Sequence, residues 1–343
     1  MAMKSLSQKE IYTYLLGVVL ISILQGSSIG VNGAFLDTLY YYDLYRLIEE
    51  NGLIYTVTAI STQSGKFEPI IAIVFQIESF LFGPSISEFN FLIINMIALN
   101  VLLAISFFDI IKNNTKSLLT LLIIPAIIIS GYLVFSKGLW FWRSFIGLFF
   151  FILFIKERNI FYKIAYISLC YLSHTSYVIF ILMYLVIEFL YKKGGLAYFL
   201  ILTIVSITLS LIANKFQEIF SFVVSNSDPT IFFSDGGNHA IKVWLSVFYS
   251  MTILLLLYKT AIKSNMVILY LFCLLCVAIS IVSYNNYHFM NRVFLPASLM
   301  IGFLPFAFSS NNLNIKLAKI MVVLTVLPGT RLVLNLFAGN FYE

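Results

Sequence analysis

A chain of 343 residues that is 61% hydrophobic and only 10% charged falls well short of the charge of a soluble domain, in which about a quarter of residues are charged. Its net charge of +6 comes from basic residues scattered through short polar turns, with no Lys/Arg block interleaved with aromatics. That pattern fits the positive-inside bias of a membrane protein and argues against a nucleic-acid partner.

Apolar runs near the roughly 20 residues that a span requires recur from end to end. The fold expected is therefore an all-α integral membrane protein. It is read as a single polytopic membrane domain over residues 1–343, with about eleven transmembrane helices plus re-entrant or interfacial segments. The first run, 11–30, follows Lys4 and Lys9 and reads as an uncleaved signal anchor running outward. An exported segment, 31–68, carries Asp37, Asp43, Arg46, Glu49, Glu50, Lys66 and Glu68. The apolar piece 69–82 is short for a span, is broken by Gly83-Pro84, and reads as re-entrant or interfacial.

Spans follow at 89–111, 117–136 and 139–155, the last running inward to Lys156, Arg158 and Lys163. Two short apolar helices, 162–173 and 176–191, meet at Ser173-His174-Thr175-Ser176 and end at Lys192 and Lys193. A span at 195–213 leads to an exported loop, 214–240, in which Asp228, Asp235 and His239 are candidates for acceptor specificity or parts of a solvated connector. Spans at 241–258, 265–284, 293–309 and 318–337 complete the chain. With this threading, thirteen Lys/Arg lie inside and eight outside, in line with the positive-inside rule. Cys170, Cys273 and Cys276 all fall in apolar runs. The Cys273-x-x-Cys276 pair has no histidine or acid beside it and reads as two small residues packing on a helix face.

The same threading gathers Asp37, Glu68, Arg143, His174 and Arg292 at the outer ends of apolar segments. Ionisable groups at membrane depth are costly and mark functional sites by default. Asp37 opens DTLYYYDLYR, where Tyr41 and Tyr45 beside carboxylates suit a glycan: ring faces stack on sugars and carboxylates accept their hydroxyls. An interfacial helix with a tyrosine belt fits the same residues. Glu68 precedes Pro69 and reads either as an anion at a helix N-terminus or as an acid or base facing the site. Arg143 and Arg292 either snorkel to the headgroups or grip phosphate through the planar guanidinium fork. His174 is either a helix-contact residue or a general base, since its side chain titrates near neutrality. His174, His239 and His288 are isolated from one another, so no metal site is expected. Two arginines, a histidine and two carboxylates on one face suit a lipid-linked phosphate substrate.

At these residues the chain resembles the EpsG/Wzy-like family of bacterial polysaccharide polymerases. The likeness is carried by the exported D-T-L-Y-Y-Y segment, by GKFEPIIAIVFQI, by WFWRSFIG with the following apolar helix, basic turn and S-H-T-S, and by NRVFLP. It covers roughly residues 30–300, and its motifs are short and degenerate. Two features depart from the family: no arginine shortly precedes Asp37, and the tyrosine does not directly follow it.

The resemblance implies an enzyme of the bacterial cytoplasmic (inner) membrane, active on its periplasmic face. Such an enzyme transfers a growing glycan from undecaprenyl diphosphate to a lipid-linked repeat unit, without a nucleotide sugar, cofactor or metal. It further implies diphosphate binding by Arg143 and Arg292, His174 or Asp37 as base, and Glu68 orienting the acceptor. The partners implied are an undecaprenyl-diphosphate-linked oligosaccharide, a chain-length regulator, a flippase and membrane lipid. An O-antigen ligase-like or other lipid-linked-sugar transferase is the alternative enzyme, favoured by a larger exported loop. A polysaccharide transporter or flippase is the alternative outside catalysis, favoured by repeated halves and charges within the spans.

Overall fold

The computed structural model describes residues 8–33, 37–64, 67–83, 86–115, 117–139, 141–220, 238–283, 287–308 and 312–339. Every element among the described residues is helical. In chain order these are α1 (Gln8–Gly30), α2 (Asp37–Ser64), α3 (Ile70–Phe82), α4 (Glu88–Lys112), α5 (Leu118–Ser130), α6 (Tyr132–Gly138), α7 (Trp142–Lys156), α8 (Ile160–Ser173), α9 (Tyr177–Phe220), α10 (Asn238–Ala261), α11 (Val267–Val282), α12 (Tyr287–Ile301), a 3-10 turn (Leu304–Ala307), α13 (Leu313–Leu324) and α14 (Val326–Phe337).

Among the described residues, six stretches are long and apolar enough to cross a membrane: Gln8–Gly30, Glu88–Lys112, Tyr177–Leu211, Val243–Ala261, Met290–Ala307 and Leu313–Phe337. The α5–α6 pair, bent by 60°, makes a seventh if it is one span. The chain is a multi-pass membrane protein by this measure, with six or seven such spans among the described residues against the expected count of about eleven. The difference lies in helices that are apolar but short. At 1.5 Å per residue, the 15 residues of α7 reach about 22 Å and the 16 of α11 about 24 Å, against a hydrocarbon core of about 30 Å. The run expected to span at 265–284 is the 16-residue α11. The segment expected to be exported holds a 28-residue helix, α2, kinked at Gly52. Residues 221–237, most of the expected exported loop with Asp228 and Asp235, lie outside the described residues, as do the side chains of His239 and His288.

The packing divides the chain into two compact units, Met1–Ile181 with Val326–Glu343, and Leu182–Thr325. In the first, α1 packs on α4 and α5, α2 on α3, α7 on α4 and α8, and α14 on α6 and α1. The α1–α4 approach is close because Gly26 meets the α4 backbone: a Cβ at Gly26 would stand 2.6 Å from the Ile93 Cα. Small residues let membrane helices approach in this way. Buried amides join the same helices. Asn100 Nδ2 donates to Ser22 Oγ at 3.0 Å and Gln25 Oε1 at 2.9 Å, and Gln25 Nε2 donates to the Ile129 carbonyl at 3.0 Å. In the second unit, α10 packs on α11, α12 and α13, and α11 packs along α12. The core of this unit includes Phe272, Cys273 and Cys276, all fully buried, consistent with the Cys273–Cys276 pair as a packing feature.

The first unit has a charged end where α1 begins and α4 and α7 finish. Lys112 Nζ pairs with Glu10 Oε2 at 2.7 Å, and Lys156 Nζ lies 3.6 Å from Asp109 Oδ2 and donates to the Ser106 carbonyl at 2.6 Å. Arg143 stands at the opposite end of α7 from Lys156. Helix α8 then returns from Ile160 to His174, the residue that ends it.

Candidate functional site

Three loops and helix ends converge in the first unit on one carboxylate. Glu68, immediately before Pro69 and α3, is 1% exposed. Its Oε2 accepts from Arg143 Nη1 at 2.5 Å. Its Oε1 accepts from the Thr175 backbone N–H at 2.9 Å and the Thr175 hydroxyl at 3.0 Å, and lies 3.0 Å from His174 Nδ1. Two readings of Glu68 were open in the sequence, and the geometry gives a variant of the first. The side chain makes no cap on α3, whose N-cap is Pro69. It meets instead a free N–H at the turn that leads into α9, where a helix N-terminus favours an anion. Burial alone would push this carboxyl up, but His174, Arg143 and the Thr175 N–H together outweigh it and hold it at about 2. Glu68 is therefore ionised across the physiological range.

The local sequence explains each approach. Helix α8 stops because His174 is extended, at φ −160° and ψ 112°, and its N–H still bonds the Cys170 carbonyl at 2.9 Å. The turn His174–Ser176 leads into α9, and Tyr177 fastens it to α7 by donating its hydroxyl to the Ser144 carbonyl at 2.7 Å. The Tyr177 ring lies directly over Gly147, where a Cβ would stand 2.7 Å from the ring. Only glycine admits this approach, which keeps His174 level with Arg143.

At the start of α7, Trp142 is fully buried and donates its indole N–H to the Gly138 carbonyl at 2.7 Å. Its ring stacks on Tyr41 at 4.8 Å between centroids with 8° between planes. Arg143, one residue on, interacts with Tyr41 as well as with Glu68, and its side chain is 25% exposed. The His174 side chain is 17% exposed. Both groups thus have one side on the shared carboxylate and another open.

The structure joins three of the expected residues, Glu68, Arg143 and His174, into one cluster. Asp37 begins α2, and its charge acts on Tyr40 and Tyr41, the tyrosines that also feel Arg143, so it borders the cluster. Arg292 lies on α12 in the second unit and is exposed beside the buried Asn291.

The expected roles of Tyr41 and Tyr45 as glycan platforms are corrected. Both are buried, at 2% and 1% exposure. Tyr41 is covered by Trp142, while Tyr45 packs among Phe75 and Phe91 and directs its hydroxyl to the Gly83 carbonyl at 3.1 Å. Their ring faces already have protein partners. The role given to Glu68, orienting an acceptor, is likewise not what its geometry favours, because its oxygens are occupied by the four contacts above.

Sequence reasoning missed Thr175, which gives Glu68 two of those contacts. The signal was present: a hydroxyl residue in the polar S-H-T-S break between two apolar helices. It also missed Glu78 and Asn95, a buried pair on α3 and α4 joined by Asn95 Nδ2 to Glu78 Oε2 at 3.0 Å. A lone acid in the apolar run of α3 was its mark. Among the described residues, no group of three or more His, Cys, Asp or Glu is placed to hold a metal ion. Comparison with family models, with curated proteins and with solved structures yields no match.

Proposed function

We propose that the chain is a polysaccharide polymerase of the bacterial cytoplasmic (inner) membrane, similar to the EpsG/Wzy-like enzymes, that works on lipid-linked glycan at the outer face. The observation that carries this reading is the joining of Arg143 and His174, 31 positions apart in sequence, through the buried carboxylate of Glu68. A cation with guanidinium N–H groups beyond the one given to Glu68 and an imidazole, both part-exposed and held side by side, is what glycosyl transfer from a lipid diphosphate calls for.

In the reaction proposed, a hydroxyl oxygen of the acceptor repeat unit attacks C1 of the donor sugar. The bond from C1 to the phosphate oxygen breaks, and undecaprenyl diphosphate leaves with the electron pair. The hydroxyl proton passes to His174. The guanidinium of Arg143 stabilises negative charge as it grows on the leaving diphosphate, through N–H groups not directed at Glu68. Arg292 is proposed as a second diphosphate ligand on the strength of the NRVFLP likeness. The charged end formed by Glu10, Lys112, Asp109 and Lys156 closes the membrane-length α4, near whose other end Phe91 packs on Trp142 beside Arg143; this supports a cytoplasmic assignment for the charged end and an outer assignment for the cluster.

The test is the glycan banding of a strain lacking the gene, complemented with wild type, His174→Ala or Arg143→Lys. A single repeat unit without a ladder, restored by wild type and by neither variant at equal protein level, is expected. A full ladder from the His174→Ala strain would overturn the reading. Loss of all exported repeats in the deletion strain would replace it with a flippase.

A further inference from the structure

We infer that Glu68 is a positioning residue that fixes the proton of His174 on Nδ1, leaving Nε2 as the nitrogen that meets the acceptor hydroxyl. The inference rests on the transferase reading only for what Nε2 does; which nitrogen carries the proton is a property of the resting protein.

Glu68 Oε1 faces three groups: the Thr175 N–H, the Thr175 hydroxyl and His174 Nδ1. The backbone N–H can only donate. On the other oxygen, the guanidinium of Arg143 can only donate as well. A carboxyl that receives two obligatory donors, one of them cationic, and is buried at 1% exposure is stable only as the anion. An ionised carboxylate has no proton to give, so the 3.0 Å contact with Nδ1 is a hydrogen bond only when Nδ1 carries the hydrogen. In neutral imidazole the lone pair is then on Nε2. A carboxylate that sets the tautomer of a catalytic histidine without itself taking up a proton is an arrangement with strong precedent in acyl transfer.

The other charged and titratable groups around the pair do not alter this. From α7 comes Arg143. From α2 come Tyr40, which feels both Arg143 and Glu68, and Tyr41 and Asp37 beside it. From α9 comes the Tyr177 ring, at 6.3 Å from the imidazole, with its hydroxyl committed to the Ser144 carbonyl. Only the Glu68 carboxylate is in hydrogen-bonding contact with Nδ1 among the described residues.

The chain has three histidines, so His239→Gln with His288→Gln leaves His174 as the sole imidazole. That protein, labelled with nitrogen-15 histidine and held in lipid nanodiscs, is read by nitrogen chemical shift above the pH at which the ring is neutral. Nδ1 of the protonated type and Nε2 of the bare type are expected. The opposite assignment in this otherwise native protein would overturn the inference, whatever the polymer assay shows. In Glu68→Gln the single tautomer is expected to give way to a mixture, while polymer formation falls by about 10²-fold or more. Retention of the pure Nδ1–H form in Glu68→Gln would also overturn it. A fixed Nδ1–H form together with an active His174→Ala protein would sink the transferase reading and leave the positioning intact.

Discussion

Glu68 and Glu78 are ten positions apart, the one just before the short helix α3 and the other within it, and are almost equally buried, at 1% and 6% exposure. Their surroundings are opposite. Glu68 is met by an arginine, a histidine and both donors of Thr175. Glu78 is met, among the described residues, by the neutral amide of Asn95. A buried carboxylate becomes the centre of a charged cluster only when cations on other helices are brought to it; burial alone does not make a site. Asn95 also donates to the Phe91 carbonyl on its own helix, so the Glu78 contact resembles the neutral Ser22–Asn100–Gln25 network in kind: polar groups joining apolar helices.

The contrast breaks most sharply through activity. On the reading proposed, His174→Ala removes the base and should lower polymer formation by about 10²–10⁴-fold. Arg143→Lys keeps a positive charge near Glu68 but loses the planar fork, so the protein should accumulate while the ladder is lost. Arg143→Ala is the less informative change, since it leaves a buried carboxylate without its arginine and should reduce the yield of folded protein. No change at Glu78 should approach these effects. A Glu78→Gln protein that lost the ladder while still folding would place the chemistry at the wrong acid.

Stability against pH separates the two acids next. The Glu68 carboxyl is held at about 2 against an ordinary value of 4.5. A depressed acid contributes its stability above the higher value and loses it as pH falls through the lower one. Unfolding midpoints in detergent should therefore be flat in this contribution above pH 4.5 and decline between 4.5 and 2. At 1.36 kcal/mol per pH unit, the whole loss is about 3 kcal/mol. Glu68→Gln should be less stable at neutral pH and should lack most of that decline. An unchanged acid limb in Glu68→Gln would show that the cluster does not hold the carboxylate as argued.

How much of this was legible in the sequence follows from the range of each interaction. Helices α1 and α4 were placed within three residues at each end, because a continuous apolar run is a local property. Glu68, Arg143 and His174 were each conspicuous as ionisable groups beside apolar helices. Their meeting was not legible, since the contacts join positions 75 and 106 apart and nothing local encodes the crossing. Tyr41 and Tyr45 misled for the same reason. A tyrosine in a polar exported segment looks solvent-facing until α3, α4 and α7 cover it with Phe75, Phe91 and Trp142. The span count was less legible, because hydropathy registers the composition of α7 and α11 and not whether each crosses alone.

A smaller effect should come from the packing that keeps the two halves of the cluster level. Gly147→Ala places a methyl 2.7 Å from the Tyr177 ring, so the ring and the turn carrying His174 must shift. Overpacking of this kind costs about 1–3 kcal/mol. Activity should fall by more than stability, because the displaced turn carries His174 and Thr175. A Gly147→Ala protein with a lowered midpoint and an intact ladder would mean that the spacing of Arg143 and His174 is not critical.

The smallest effects belong to Glu78, and they test the comparison from its quiet side. Glu78→Gln keeps an acceptor for Asn95 Nδ2 and removes an ionisable group from an apolar helix, so the unfolding midpoint should stay level or rise. Asn95→Leu does the reverse, stripping the buried acid of its amide donor, and should cost about 1–3 kcal/mol. If Glu78→Gln proved the more damaging of the two, the charge on Glu78 would matter as such. The first unit would then contain two working carboxylates, and the distinction between a cation-paired acid and an amide-paired one would fail.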